Sequence, residues 1–210
     1  MIITFATQKG GTGKTTLAIT FANYISTISK RKINVFDFDY QKSFYQKWKE
    51  DELLDLPKLY DVEIIGDEVE QPFSDYETIL DLKDNDDINL FDLAGTLDAK
   101  YSDFIIIPFE YSDVSAKSTL VFVNFLGMLE SQAERVFIRS KYDKGYKYLN
   151  QEGMDAEIQK YGTLLKSPVF KRNCLQTINT RYLNYEQKYA VRNSFNELIT
   201  CINETLDTNI

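Results

Sequence analysis

A doubly wound α/β fold, with a mostly parallel sheet flanked by helices, is what this 210-residue sequence predicts. Three observations carry that expectation. Short, continuously apolar runs recur along the chain, stretches with helical spacing separate them, and a glycine-rich turn joins the first apolar run to the first helix. Continuous rather than alternating apolar character belongs to strands covered on both faces, as in parallel sheets. Strand–helix alternation in a chain of this length gives one domain over residues 1–210, with its ligand site at the carboxyl ends of the strands.

The elements follow in order. Ile2–Ala6 is the first apolar run, and Thr15–Lys30 after it reads as a helix. Ile33–Phe38 is the second strand and Lys42–Glu52 the second helix. Val62–Ile65, Ile88–Phe91 and Phe104–Pro108 are further strands, Ser115–Leu129 a third long helix, and Arg135–Ile138 a sixth strand. In the last segment, Tyr189–Leu206, Val191, Phe195, Leu198, Ile199, Ile202 and Leu206 fall on one helical face with an acidic outer side. No repeat, low-complexity tract or Pro/Gly-rich linker interrupts the series.

Composition excludes several classes. Apolar residues make up 43 % and charged residues 27 %, the balance of a folded domain rather than a disordered one. The longest uncharged run, Thr15–Ser29, is too short and too rich in Ser and Thr to span a bilayer. The N-terminus lacks the basic leader and long apolar stretch of a signal peptide. Histidine is absent, which removes every mechanism that needs imidazole, and Cys174 and Cys201 alone cannot build a metal cluster. A cytoplasmic setting is expected. The net charge of −8 is unevenly spread: residues 1–49 carry +6, 50–110 carry −16 and 130–192 carry +5. A polyanion could dock on the basic later third although the whole chain is acidic.

Directly after the first strand stands Gln8-Lys9-Gly10-Gly11-Thr12-Gly13-Lys14-Thr15-Thr16, opening a helix. Glycines let the backbone wrap closely around phosphates, so that the N–H groups from Gly10 to Thr16 can point at the oxygens. Lys14 supplies positive charge to the β/γ-phosphates, and the Thr15 hydroxyl can ligate Mg²⁺. Gln8 occupies the place of the first glycine of an ordinary P-loop. What remains, Lys9-Gly10-Gly11-x-Gly13-Lys14-Thr15, resembles the deviant P-loop of the ParA/MinD family of ATPases. The resemblance implies a P-loop NTPase fold, ATP and Mg²⁺ as ligands, and an ATP-sandwich homodimer. In such a dimer Lys9 reaches the phosphates of the other subunit and stabilises charge in transfer.

Two later segments resemble the family in the right order. Asn34-Val-Phe-Asp37-Phe-Asp39-Tyr40-Gln41 is similar to its D-x-D-P-Q segment, which implies that Asp39 orients the attacking water and that Asp37 supports it. Both carboxylates are expected on one face of an extended strand, and Tyr40 stands where the family has proline. Ile88-Asn-Leu-Phe-Asp92-Leu-Ala-Gly95-Thr96 resembles the Walker B strand and its following loop. There Asp92 would hold Mg²⁺ through its water shell and Gly95 would let the loop approach the γ-phosphate. Ser102-Asp-Phe-Ile-Ile-Ile-Pro108-Phe-Glu110 resembles a further family strand. Arg139-Ser-Lys141-Tyr-Asp143 and Val169-Phe-Lys171-Arg172-Asn173 fall where the family contacts the base, the latter with Arg172 and Asn173 beside it. The choice of ATP over GTP rests on the resemblance.

ParA-like proteins hold non-specific DNA as ATP dimers until a small ParB-type partner stimulates hydrolysis. The resemblance implies a plasmid or mobile-element partition ATPase, cytoplasmic and nucleoid-associated. Its DNA face would be Lys166, Lys171, Arg172, Arg181, Lys188 and Arg192, with Tyr182, Tyr185 and Tyr189 between them expected mostly in the core. The P-loop begins so near Met1 that no helix-turn-helix domain is expected before it. A MinD-like positioning ATPase, at a membrane or on a protein scaffold, is the alternative. Against the membrane form stands the acidic C-terminus, Asn203-Glu-Thr-Leu-Asp-Thr-Asn-Ile210. No tyrosine lies beyond Tyr189 to suit a tyrosine autokinase, and the two cysteines are ill placed for a nitrogenase-reductase-like cluster.

Overall fold

The computed structural model describes residues 1–65, 81–83, 85–94, 99, 101–207 and 210. Its elements are β1 (Ile2–Ala6), α1 (Lys14–Ser26), β2 (Ile33–Asp37), α2 (Ser43–Glu50), β3 (Asp61–Ile64), β4 (Ile88–Leu93) and β5 (Phe104–Phe109), then α3 (Asp113–Met128), β6 (Glu134–Arg139), α4 (Gln151–Ile158), β7 (Thr163–Leu164) and α5 (Tyr185–Leu206). The strands form one sheet in the order β3-β2-β4-β1-β5-β6-β7, and every pairing is parallel. The doubly wound expectation therefore holds.

Period-two alternation divides the core between the faces. On one face Ile3 and Phe5 of β1 and Phe104 and Ile106 of β5 pack with Leu17 and Phe21 of α1 and Phe195 and Leu198 of α5. On the other, Ile2 and Ala6, then Ile105 and Ile107, pack with Phe122 and Leu126 of α3. Each central strand is buried on both sides, which is why its residues read as unbroken apolar runs.

The chain leaves β1 toward β2 and β3, returns through β4, and then proceeds to β5 on the other side of β1. The carboxyl end of β1 is thus the point where the winding reverses, and open α/β sheets bind ligands there.

Several boundaries differ from expectation. Helix α5 begins at Tyr185 because Asn184 caps it: the Asn184 side chain accepts from Gln187 N at 2.8 Å, and Gln187 Oε1 accepts from Asn184 N at 3.0 Å. The first helix ends at Ser26, short of Lys30. Helix α4 and strand β7 were not legible in the sequence: α4 carries Gly153 and only Met154 and Ile158 against the core, and β7 has two residues.

Candidate functional site

The turn between β1 and α1 needs its glycines. Gly11 and Gly13 have φ of +80° and +86°, which side-chain-bearing residues rarely adopt, and a Cβ on Gly13 would lie 3.3 Å from Ser140 Oγ. Thr12 is buried, and its carbonyl accepts the Ser140 hydroxyl at 2.8 Å. The Lys141 ammonium donates to the Gly11 carbonyl and pairs with Glu110 at 3.3 Å. Two consecutive residues after β6 thus clamp two consecutive residues of the loop, Gly11 and Thr12, and leave little room for a side chain at Gly13.

At the head of α1 the predicted residues converge. Lys14 Nζ lies 2.6 Å from Asp92 Oδ1 and 3.0 Å from Asp39 Oδ2, and the Thr15 hydroxyl donates to Asp92 Oδ2 at 2.8 Å. Burial opposes the charge on Lys14, but Asp92 and Asp39 outweigh it and raise its pKa. Burial pushes the Asp92 carboxyl up to about 6, against the pull of Lys14 and Thr15. For Asp39 burial is the largest single influence and raises the pKa, but the Gln41 amide and Lys14 together outweigh it and its pKa is lowered. The four side chains come from the head of α1, the loop after β2 and strand β4, which the strand order places side by side.

Asp37 and Asp39 do not share a strand face. Strand β2 ends at Asp37, which is fully buried; its Oδ1 accepts from Asp39 N and its Oδ2 from Tyr45 N, each at 3.0 Å. Asp37 therefore pins the loop that carries Asp39 and the first turn of α2. Lys9 is partly exposed, its ammonium 3.4 Å from Ser112 Oγ at the head of α3. Lys9, Gly10, Lys14, Thr15 and Asp39 line a recess of about 350 Å³.

A larger cleft of about 730 Å³ opens beside it, walled by Gly13, Thr16, Ser140, Lys141 and Arg172 and by the rings of Tyr146 and Tyr148. Arg172 lines this cleft, whereas Asn173 is exposed and the cleft is lined beyond it by Leu175 and Gln176. Arg139 turns away from the cleft: its guanidinium bonds Leu165 O at 2.6 Å and Asp155 at 2.8 Å. The two tyrosines were missed because nothing in their spacing marks them; only the fold of the 141–150 loop brings them to the cleft. Gly95 lies outside the described residues.

Of the predicted DNA face, Lys166, Arg172 and Arg192 line one groove of about 380 Å³ together with Lys144 and Tyr189, and Lys188 is exposed one turn before Arg192. Lys171 is exposed but lines the nucleotide-sized cleft rather than this groove. Arg181 requires a correction. It is 3 % exposed, donates to Asp51 O and Trp48 O at 3.2 Å each, and lies over the Trp48 ring at 5.5 Å. It caps the end of α2 and the following turn, and is out of reach of a surface ligand. The neighbouring tyrosines err in the other direction: Tyr182, Tyr185 and Tyr189 are 47, 81 and 62 % exposed, outside the core.

The model of the CobQ/CobB/MinD/ParA nucleotide binding domain (CbiA) matches residues 3–198. The chain belongs to that family. Its solved neighbours share the fold at low identity. A protein described as a plasmid partition protein from Borrelia burgdorferi B31, bound to AMPPNP, is 19 % identical with a TM-score of 0.71, covering 95 % of this chain and 98 % of that one. The MinD cell division protein of Aquifex aeolicus is 15 % identical, TM-score 0.69, covering 96 % and 97 %. A McdA variant from Cyanothece in complex with ATP is 16 % identical, TM-score 0.64, covering 100 % and 97 %. No curated protein matches the sequence. Members of this ParA/MinD-type family are P-loop NTPases. Among the described residues, no helix is long and apolar enough to cross a membrane.

Proposed function

We propose that this protein is a DNA-partition ATPase of a plasmid or mobile element. The observation that carries the reading is the convergence of Lys14, Thr15, Asp39 and Asp92 beside an exposed-edge Lys9, one loop away from a cationic groove. Lys14 leaves its two carboxylates to meet the β/γ-phosphates; Asp39, freed of that lysine, positions water for attack on the terminal phosphorus. The hard-oxygen pair Thr15 and Asp92 fits Mg²⁺, which would neutralise charge on the phosphates. Asp37 keeps the Asp39 loop in place.

Among the described residues of a single chain, the Lys9 ammonium meets the Ser112 hydroxyl and no acidic partner. Across an ATP-bound homodimer it supplies the second positive charge at the phosphates. Hydrolysis is slow until DNA and a small ParB-type partner complete the geometry, because phosphoryl transfer depends chiefly on positioning. Lys166, Arg172, Lys188 and Arg192 would take backbone phosphates without reading sequence.

The test is a mobility assay with random-sequence duplex DNA in the presence of ATP, ADP or neither, paired with sedimentation. ATP-dependent binding by a dimer is expected. Lys9→Ala should bind ATP yet stay monomeric and fail to hydrolyse it. If ATP-loaded protein ignores DNA at low salt but binds anionic vesicles, the MinD-like positioning role replaces partition.

A further inference from the structure

We propose that the loop from Asp51 to Pro57 is a docking surface for a cationic amphipathic segment of a partner protein, one that sets leucine-sized side chains among lysines or arginines. The inference goes beyond the ATPase reading and does not depend on it. Leu53, Leu54 and Leu56, three of four consecutive residues, are 91, 40 and 44 % exposed, and Pro57 beside them is exposed as well. A lone exposed leucine is ordinary on a protein surface, whereas an apolar cluster bordered by charge marks an interaction site.

The loop is built to hold the leucines in solvent. Leu54 N donates to Asp51 O at 3.1 Å and Leu56 N to Leu54 O at 2.7 Å, so the chain turns tightly through all three. Its first end is tied by the buried Asp51 carboxylate, which accepts from Thr180 N at 2.7 Å and pairs with Lys47 at 2.9 Å. Its far end is tied by Trp48, whose indole N–H donates to Tyr60 O at 3.1 Å and closes the loop across its base. Leu59, by contrast, packs against the core. A loop fixed in this way loses little further freedom when a partner covers it. Helix α2 starts beyond the carboxyl end of β2 and the loop leads into the amino end of β3, which pairs in parallel with β2. The leucines therefore lie at the end of the sheet remote from the phosphate loop, and a docked partner leaves that loop clear.

Charge decides the kind of partner. From Glu50 to Glu63 the chain carries six carboxylates and a single lysine. The cations at the base of the loop are engaged within the chain. Lys47 pairs with Glu50 and Asp51, and Lys49 and Lys58 pair with Glu52 and lie over the Trp48 ring at 5.1 and 4.3 Å. Asp55 in the loop and Glu63 on the exposed side of β3 have no cationic partner among the described residues. A second copy meeting this loop with its own would set carboxylate against carboxylate. A cationic segment pairs with them while its apolar side chains cover the leucines.

The probe is a fluorescein-labelled helical peptide of leucine and lysine, with leucines at i, i+3, i+4 and i+7 spacing. A second peptide has the same charge and serine in place of every leucine. Anisotropy is read with the full chain at about 150 mM salt, where attraction between distant exposed charges is screened. The parent should bind the leucine peptide at least tenfold more tightly than the serine peptide. Leu53→Ser with Leu56→Ser should lose at least tenfold for the leucine peptide and keep the parent's melting temperature, since both side chains are already in water. Asp55→Lys should weaken binding at least threefold. Glu152→Lys makes the same change of net charge on α4, which leads to the opposite edge strand β7, and should leave binding unchanged. A parent that binds neither peptide or both equally overturns the inference, as do undiminished binding by L53S/L56S and equal effects of D55K and E152K. Sedimentation in which the parent self-associates and L53S/L56S does not also overturns it, by assigning the face to a second copy. None of these outcomes touches nucleotide binding, so the ATPase reading stands or falls separately.

Discussion

At the scale of single residues, Lys14 is shared between stability and chemistry. It is the counter-ion of a fully buried aspartate and also the residue that must be surrendered to phosphate. Removing one partner of a buried pair leaves the other charge unpaired. Lys14→Ala is therefore expected to abolish nucleotide binding and to cost about 3 kcal/mol of stability, read by calorimetric titration and by urea unfolding. Gly13 is constrained from two sides, by its left-handed backbone and by Ser140. Gly13→Ala should cost about 1–2 kcal/mol and weaken nucleotide affinity, because the loop must shift away from the geometry that the Ser140 and Lys141 contacts impose.

At the scale of elements, the basic region divides into a strut and a surface. Arg181 joins the 179–181 turn to the end of α2, while Thr180 donates to the buried Asp51 carboxylate from both its N–H, at 2.7 Å, and its hydroxyl, at 3.0 Å. Arg181→Ala should lower stability by about 2 kcal/mol through carbonyls left without donors, tempered by the loss of its own unpartnered Nη1. Lys188→Glu with Arg192→Glu, on the exposed side of α5, should leave the melting temperature unchanged. That pair should weaken binding to random-sequence DNA and flatten its salt dependence, by about one unit of slope for each phosphate that is no longer neutralised. The two sets of variants together separate folding from binding. These elements also show how far the sequence could be read. The apolar runs of β1, β4 and β5 identified themselves because each is buried on both faces. Helix α4 did not, since Met154 and Ile158 after a glycine make no readable stripe, and Arg181 looked like its exposed neighbours because charge alone does not reveal burial.

At the scale of the whole molecule, a buried polar chain ties separate layers together. The Tyr60 hydroxyl donates to Asn23 Oδ1 at 2.7 Å, and Asn23 Nδ2 donates to Asn179 O at 2.7 Å, so the approach to β3, the middle of α1 and the turn before α5 share one network. Burial keeps the Tyr60 hydroxyl protonated well above its ordinary pKa of 10, with Arg181 opposing and Asp51 assisting. An unfolded tyrosine loses its proton near pH 10, so above that pH the folded state holds more protons and stability falls as pH rises. Tyr60→Phe should cost about 1 kcal/mol at neutral pH, by orphaning Asn23 Oδ1, yet make the decline above pH 10 shallower in urea titrations at successive pH values.

What the sequence determined by itself is local and periodic: the apolar strands, the glycine-rich turn after the first of them, and the lysines and carboxylates at strand ends. Each is fixed by neighbours within a few residues, through burial on two faces or through backbone angles that only glycine adopts. Tertiary structure decided what depends on distant segments meeting. Strand order brings Asp92 to Lys14, the 141–150 loop carries tyrosines and Asp143 into the cleft, and α2 packs over Arg181 while Lys188 and Arg192 stay in solvent. The physical reason is that burial and electrostatic pairing are properties of the space around a side chain, and that space is filled by residues far away along the chain.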